Sequence, residues 1–493
     1  MRRDVNRIVA LSSSIGIACL VAFACCHSAA ITPATPSVVS ERTEKLPFMA
    51  SDLSGLPQTW YCLSPWSGDL VEERKGVAVS AWRLFISLNW TGEFREDNEG
   101  RSSWAPDVTM NELGGAKYPR WSSWHTPQTL RTILERCSQG DPPPPPRPDW
   151  AHHPDSLDPR IEIALPGRDG DATSVPPCVY DQNGEMVEYE IRMSPKGWVS
   201  NLYEVACPRT PESEVAVTGS GLDASSGGAV TFQYGQCRGQ GGSDGGDVYD
   251  RDGAVAIKLA WKVLSGEERR GSRYLQRTAV VRESCDDNAK AAVKTLGLVG
   301  FHITQKTNHY PGWIWSTFEH VNNLTPAEGA AVAAFHDPRC KDCVANTSQR
   351  LGADSRCRTQ ITRVAPIPDE IANLNREFRS FLRGRSVLQH YELVGVQYVP
   401  SAKTQATPAE LRNSVIETYN VSRPVDWRSP PKSCADLPRF EASSCLGCHR
   451  NGSDFSFVPK VELCNCKDQK NRWVGNRICD ALGLNHCHGE ASL

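Results

Sequence analysis

Three things are scarce in this chain: net charge, methionine and long apolar runs. Its 54 basic and 57 acidic residues leave a formal charge of −3, so net charge supplies no attraction to nucleic acid or to a membrane surface. Past the N-terminal segment no stretch approaches the ~20 apolar residues of a spanning helix, and none is expected there. Methionine occurs five times in 493 residues, and the last is Met193. No H-E-x-x-H or Walker pattern appears, which removes the sequence support for a zincin or a P-loop enzyme. Helical repeats and long coiled coils are excluded by the opposite condition, an abundance of 38 glycines and 34 prolines.

What is present begins with a leader. Arg2, Arg3 and Arg7 precede a mostly apolar run from Ile8 to Ala24, then small residues to Ala30. That order of charge, apolar core and small residues is a secretory signal, expected to span residues 1–30. The alternatives are a lipid anchor at Cys25 or Cys26, whose Ala22-Phe23-Ala24 flank is a poor lipobox, and an uncleaved anchor. Either way the protein is expected outside the cytoplasm, periplasmic or otherwise exported. Of 19 cysteines, three lie in this leader and two in the motif described below, leaving 14. In an exported chain that remainder fits several disulfides, with pairing undetermined.

The length accommodates two or three domains. Residues 31–56 read as a flexible leader and 57–383 as a large domain. In that domain Ala78, Ala81, Trp82, Phe85 and Leu88 mark a helix ending at Asn89-Trp90-Thr91-Gly92. Thr126-Pro127 opens another through Leu130 and Ile133. Pro142 to Pro146 stiffen a loop over 141–150.

The centre reads as sheet. Val187, Tyr189, Ile191 and Met193 alternate with charged residues just after an Asn183-Gly184 turn. Val255–Val263 alternates likewise, and further strands are expected at Tyr274–Val281, Leu296–Gln305 and Trp313–His320. A Gly- and Ser-rich insert over 219–253 lacks a phosphate-loop lysine and a following helix, so it reads as a loop. Ile371, Leu374, Phe378 and Leu382 set a helix over Asp369–Leu382, and Leu393–Val399 returns to the sheet.

The most specific feature lies near the C-terminus: Cys445-Leu446-Gly447-Cys448-His449. A chain of this composition would contain about 0.02 accidental C-x-x-C-H matches. Two thiols at this spacing can each add to a vinyl group of one porphyrin, and the adjacent imidazole can ligate its iron. The reading is one covalent haem c, tethered by Cys445 and Cys448, with His449 as proximal ligand. The competing reading is a disulfide or bare dithiol beside a stray histidine. Residues 384–463 are therefore expected to form a haem c-binding region, and 464–493 a Cys-rich tail.

Several runs resemble a family of exported bacterial cytochrome c family proteins. They include Phe85-Ile86-Ser87-Leu88-Asn89-Trp90, Tyr189-Glu190-Ile191-Arg192-Met193 and Ile257 through Leu264. Others are Leu296 through His302 with Trp313 through His320, Tyr391 through Gln397, and Ser444 through Phe457. The resemblance covers roughly residues 80–457 and implies one covalent haem and an extracytoplasmic life. It implies no particular reaction. The Gly-rich insert and the Cys-rich tail depart from the family pattern.

The sixth iron ligand separates the functional readings. Methionine, the common second ligand, does not follow Cys448, and Met186 and Met193 read as core. His302 and His320 are distal candidates: about seven residues link their strands, so a hairpin could bring both to one pocket. Each also fits as a hydrogen-bonded sheet histidine. His486 and His488 in the tail are alternatives, though exposed surface fits them too. Cys340-Lys341-Asp342-Cys343 admits redox exchange, but without a βαβ pattern a disulfide or two separate bridges is the expectation. The tail set Cys464, Cys466, Cys479, Cys487 and His488 fits disulfides ahead of zinc. Trp313 and Trp315 read as core or sheet-face residues.

Together these features lead to an α+β fold: a mostly antiparallel central sheet with flanking helices and a small haem-bearing C-terminal unit. The leading function is one-electron transfer to an unidentified redox partner protein. The alternatives are a haem enzyme or gas or peroxide sensor with an open distal site, and a binding or structural module in which haem organises the fold.

Overall fold

The computed structural model describes residues 70–96, 102–106, 118–126, 136, 179–195, 254–282, 291–307, 310, 313–341, 343, 345–346, 359–398 and 411–416. Among them the architecture is α+β, with antiparallel sheets and a few helices.

Helix α1 (Leu70–Leu88) leads into a small sheet of β1 (Thr91–Glu96), β2 (Ser102–Pro106) and β3 (Tyr118–Pro119), ordered β2-β1-β3. The main sheet has six strands: β4 (Glu188–Met193), β5 (Val255–Val263), β6 (Gln276–Arg282), β7 (Ala291–Gln305), β8 (Ile314–His320) and β9 (Tyr391–Gln397). Its order is β4-β5-β7-β8-β9, with β6 also on β7. Short helix α2 (Gly266–Arg270) follows β5, and α3 (Asp369–Leu382) precedes β9. The strand alternation and the α3 spacing read from sequence are realised. Helix α1 begins eight residues ahead of Ala78, and the small sheet had no signal in the alternation. The helix expected from Thr126-Pro127 lies outside the described residues beyond Thr126.

β7 organises the sheet. Leu296 and Gly297 pair with β5 on one edge and with β6 on the other, while Gly300–Gln305 exchange β6 for β8. Bulges at Ala260/Trp261 and Thr317/Phe318 shift the register, letting so long a strand twist and change partners.

One face is apolar and covered by helices. The ring of Phe85 stacks on Phe318 at 4.1 Å and meets Phe301 edge-on at 5.2 Å. Trp82 stacks on Phe378 of α3 at 4.9 Å. Burying a phenylalanine so completely contributes roughly 1.5–3 kcal/mol. Asn375 of α3 completes the join. Its amide donates to Leu393 O at 2.8 Å and accepts from Leu393 N at 2.9 Å, and it also accepts from Trp82 Nε1 at 3.0 Å. A side-chain amide thus takes the place of ladder bonds at the β9 bulge.

The opposite face is crossed by residues 411–416. Asn413 donates to Thr317 Oγ1 at 2.7 Å and to Phe318 O at 3.0 Å, and Tyr189 donates its hydroxyl to Val415 O at 2.7 Å. Two strand glycines make room for this strap. A Cβ at Gly300 would sit 2.9 Å from Val415 Cγ2, and one at Gly395 2.9 Å from Leu411 Cδ1. Both β9 and the strap come from the C-terminal side of residue 383, so the described part of 384–463 completes the large sheet.

Candidate functional site

Cys445, Cys448 and His449 lie outside the described residues, as do the leader, the 141–150 loop, the 219–253 insert, His486, His488 and the Cys-rich tail. The structure does place both distal candidates, and it does not bring them together. His302 pairs across the sheet with Thr317, whereas His320 follows Phe318 in the alternation. The two side chains therefore leave opposite faces, which overturns the shared pocket expected of the hairpin.

His320 occupies the junction where β7 exchanges β6 for β8. Its Nε2 lies 3.0 Å from Arg273 O, and its Nδ1 accepts from Asn322 N at 3.2 Å. A carbonyl accepts only, so Nε2 carries the proton and the Nδ1 lone pair is already engaged. Tyr274 stacks on the ring at 4.1 Å, and Tyr391 meets it edge-on at 5.2 Å. Desolvation lowers its pKa to about 3, helped by the positive charges of Arg273 and Lys262 and by His390. His302 is likewise buried and lowered to about 3, by desolvation and then by Lys258. Its ring lies 5.5 Å from that of Trp315. Both histidines are neutral at neutral pH.

Sequence reasoning missed three buried ionic clusters, because strand alternation marks faces and not exposure. Glu190, 1 % exposed, accepts from Arg277 Nη1 at 2.5 Å, Arg192 Nε at 2.7 Å and Trp261 Nε1 at 3.1 Å. Desolvation would raise its pKa, but Arg277 and Arg192 outweigh it and hold the carboxyl near 2. Lys262 reaches Glu268 at 2.6 Å and Asp181 at 3.5 Å. Asp181 also turns the Asn183-Gly184 corner, accepting from Asn183 N at 2.8 Å and Glu185 N at 3.0 Å.

The third cluster fastens the strap. Glu319 accepts from Ser414 N at 2.6 Å and lies 3.2 Å from Arg363, which also donates to Glu392 at 3.0 Å. Glu319 and Glu392 face each other directly across β8 and β9. Desolvation raises the pKa of Glu392, Arg363 opposes it, and Glu319 pushes the same way as desolvation. A signal was present in sequence, since Gly300 and Gly395 leave space on the face that Glu319 occupies.

These clusters hold elements together. No group of three or more His, Cys, Asp or Glu residues among the described residues could hold a metal ion. Met186 and Met193 are buried, as are Trp313 and Trp315, in keeping with core roles. Cys340 and Cys343 are bonded to one another, with Cα atoms 5.5 Å apart, not to separate partners. No helix among the described residues is long and apolar enough to cross a membrane. No protein-family model, curated protein or solved structure matches the chain.

Proposed function

We propose that this chain is an exported, c-type cytochrome-like protein that carries one covalent haem and transfers single electrons to a redox partner protein. The observation that carries the reading is the Cys445-Leu446-Gly447-Cys448-His449 run behind a leader with signal-like charge and hydropathy. The donor set fits the group: two thiols can form the thioether links, and one imidazole can ligate iron. Once bound, haem supplies a one-electron ferric/ferrous couple. Cys445 and Cys448 would hold it, and His449 would supply a nitrogen ligand to its iron. Of residues 384–463, β9 and the 411–416 strap belong to the large sheet domain.

His320 bears on the alternative with an open distal side. Its Nδ1 lone pair accepts from Asn322 and its Nε2–H donates to Arg273 O, so its use as a base or iron ligand would break the β7 junction. That favours electron transfer over peroxide chemistry on His320.

The test is expression with the N-terminal segment in a host that assembles c-type haem. A pyridine haemochrome spectrum and ferrous spectra with and without carbon monoxide would then be recorded. The expected result is a c-type spectrum that carbon monoxide leaves unchanged and that Cys445→Ala/Cys448→Ala abolishes. A prompt carbon monoxide shift would move the assignment to a haem enzyme or sensor. Absence of covalent haem while a control cytochrome loads would overturn the proposal.

A further inference from the structure

Cys340 and Cys343 form a reactive group that electron transfer at haem leaves unused. The bond closes a ring between residues three apart in sequence, and both cysteines are half-buried. As a staple it contributes little, because so short a loop removes less unfolded-chain entropy than a longer one would.

The surrounding segment is pinned without it. Ala334 N and Phe335 N donate to Asn322 O and Asn323 O, each at 2.9 Å, and Ile361 N donates to Phe335 O at 2.9 Å. Asp337 N donates to Gln360 Oε1 at 3.0 Å, Gln360 Nε2 returns to Asp337 O at 3.1 Å, and Asn346 N reaches Gln360 O at 2.9 Å. Cleaving the bond therefore leaves the loop held on both sides.

Lys341 is the cation that can favour a leaving thiolate at Cys340. Arg339 and Lys341 flank Cys340, and both are exposed. Arg339 is paired with Asp337 at 2.9 Å, while Lys341 adjoins Cys340 in sequence and is followed by Asp342. Cations beside a cysteine favour its thiolate, which leaves faster in exchange.

We propose that Cys340–Cys343 is a thiol–disulfide exchange site whose partner is a protein dithiol. One partner thiolate attacks a sulfur of the bond, forming a mixed disulfide and releasing the other cysteine as a thiolate that takes up a proton. The second partner thiolate then displaces the first cysteine, which is protonated in turn. The partner loses two electrons and two protons to become a disulfide, and Cys340 and Cys343 gain them as two thiols. The site does not depend on haem at Cys445 and Cys448, so failure of either assignment leaves the other standing.

The test treats the full-length oxidised protein with reduced thioredoxin, kept reduced by its reductase, then blocks thiols and maps them by mass spectrometry. Cys340 and Cys343 are expected to be alkylated together as reduction begins, with an unchanged near-UV circular dichroism spectrum and full reoxidation by oxidised glutathione. A bond that persists until tertiary structure is lost, or whose reduction collapses the near-UV spectrum, would overturn the site. In Cys343→Ser, the Cys340 thiol is expected to react with oxidised glutathione roughly 10-fold faster than free cysteine at neutral pH. An equal or slower rate counts against the proposal, and if this variant does not accumulate the wild-type titration decides alone.

Discussion

Glu190 and Glu319 belong to the same sheet, leave opposite faces of it, and are buried in opposite charge balances. Glu190 has two guanidiniums, those of Arg192 and Arg277, for one carboxylate. Glu319 shares the guanidinium of Arg363 with Glu392, to which Arg379 adds a weaker favourable charge. Two adjacent guanidiniums outweigh desolvation and hold Glu190 near 2, whereas at Glu392 desolvation, with Glu319 pushing the same way, outweighs Arg363 and Arg379 and leaves the carboxyl raised. Burial alone does not decide how a carboxylate responds to pH; the ratio of carboxylates to guanidiniums does.

The sharpest break in this comparison is Glu190→Gln. It takes the carboxylate away from Arg192, whose side chain is 3 % exposed and keeps its bond to Trp124 O, and from Arg277, and is expected to lower unfolding stability by about 3–5 kcal/mol at pH 7. Urea denaturation across pH would read it. The folded value near 2 lies below the ordinary 4.5, so the wild-type advantage is complete above 4.5 and disappears as pH falls toward 2. A gap that persists below pH 2 would show that packing, not charge, carries the effect.

An intermediate effect is expected of Gly300→Ala. Its Cβ would fall 2.9 Å from Val415 Cγ2 and 3.1 Å from both Asn413 Oδ1 and Ile416 Cγ1, at a cost of about 1–3 kcal/mol. Faster hydrogen exchange at the Val415 and Ile416 amides would locate that cost at the strap. Unchanged exchange there would mean that 411–416 moves aside without penalty.

The smallest change, and the one opposite in sign, is Glu392→Gln. Because its folded pKa is raised above the ordinary 4.5, ionisation of Glu392 works against the fold, by an amount that grows as pH rises from 4.5 toward the raised value and is constant above it. The variant is expected to gain less than about 1 kcal/mol at pH 7, with the gain vanishing in acid. A loss at pH 7 would instead make the Glu392 bond to Arg363 the dominant contact.

The sheet was readable from sequence for a physical reason. In β4 Tyr189, Ile191 and Met193 alternate with charged residues, in β5 Val255, Ile257 and Leu259 alternate with Ala256 and Lys258, and in α3 Ile371, Leu374, Phe378 and Leu382 keep helical spacing. What was missed does not repeat along the chain. Asn413 works through one side-chain amide, and β1 and β2, with Thr-Gly-Glu-Phe-Arg-Glu and Ser-Ser-Trp-Ala-Pro, show no apolar alternation. Burial of Glu190, Arg192 and Lys262 could not be read either, because their partners Arg277 and Asp181 come from distant segments. The separation of His302 from His320 turned on a register that only the pairing of Gly300 with Glu319 defines. The proposed haem ligands are the opposite case: Cys445, Cys448 and His449 are legible as a short motif and lie outside the described residues.

The partner exchange along β7 also bears on the order in which a nascent chain can assemble. Arg282 pairs with Ala291, so β6 and β7 meet through a short connection whose closure costs little entropy. β8 must wait for β9, because Phe318 pairs with Leu393 and Trp315 with Gln397. Until synthesis delivers β9, the outer edge of β8 from Ile314 to His320 stands unpaired. Such an edge is a template for the wrong neighbour, and the interval before residues 391–397 emerge is when this protein has most need of a chaperone.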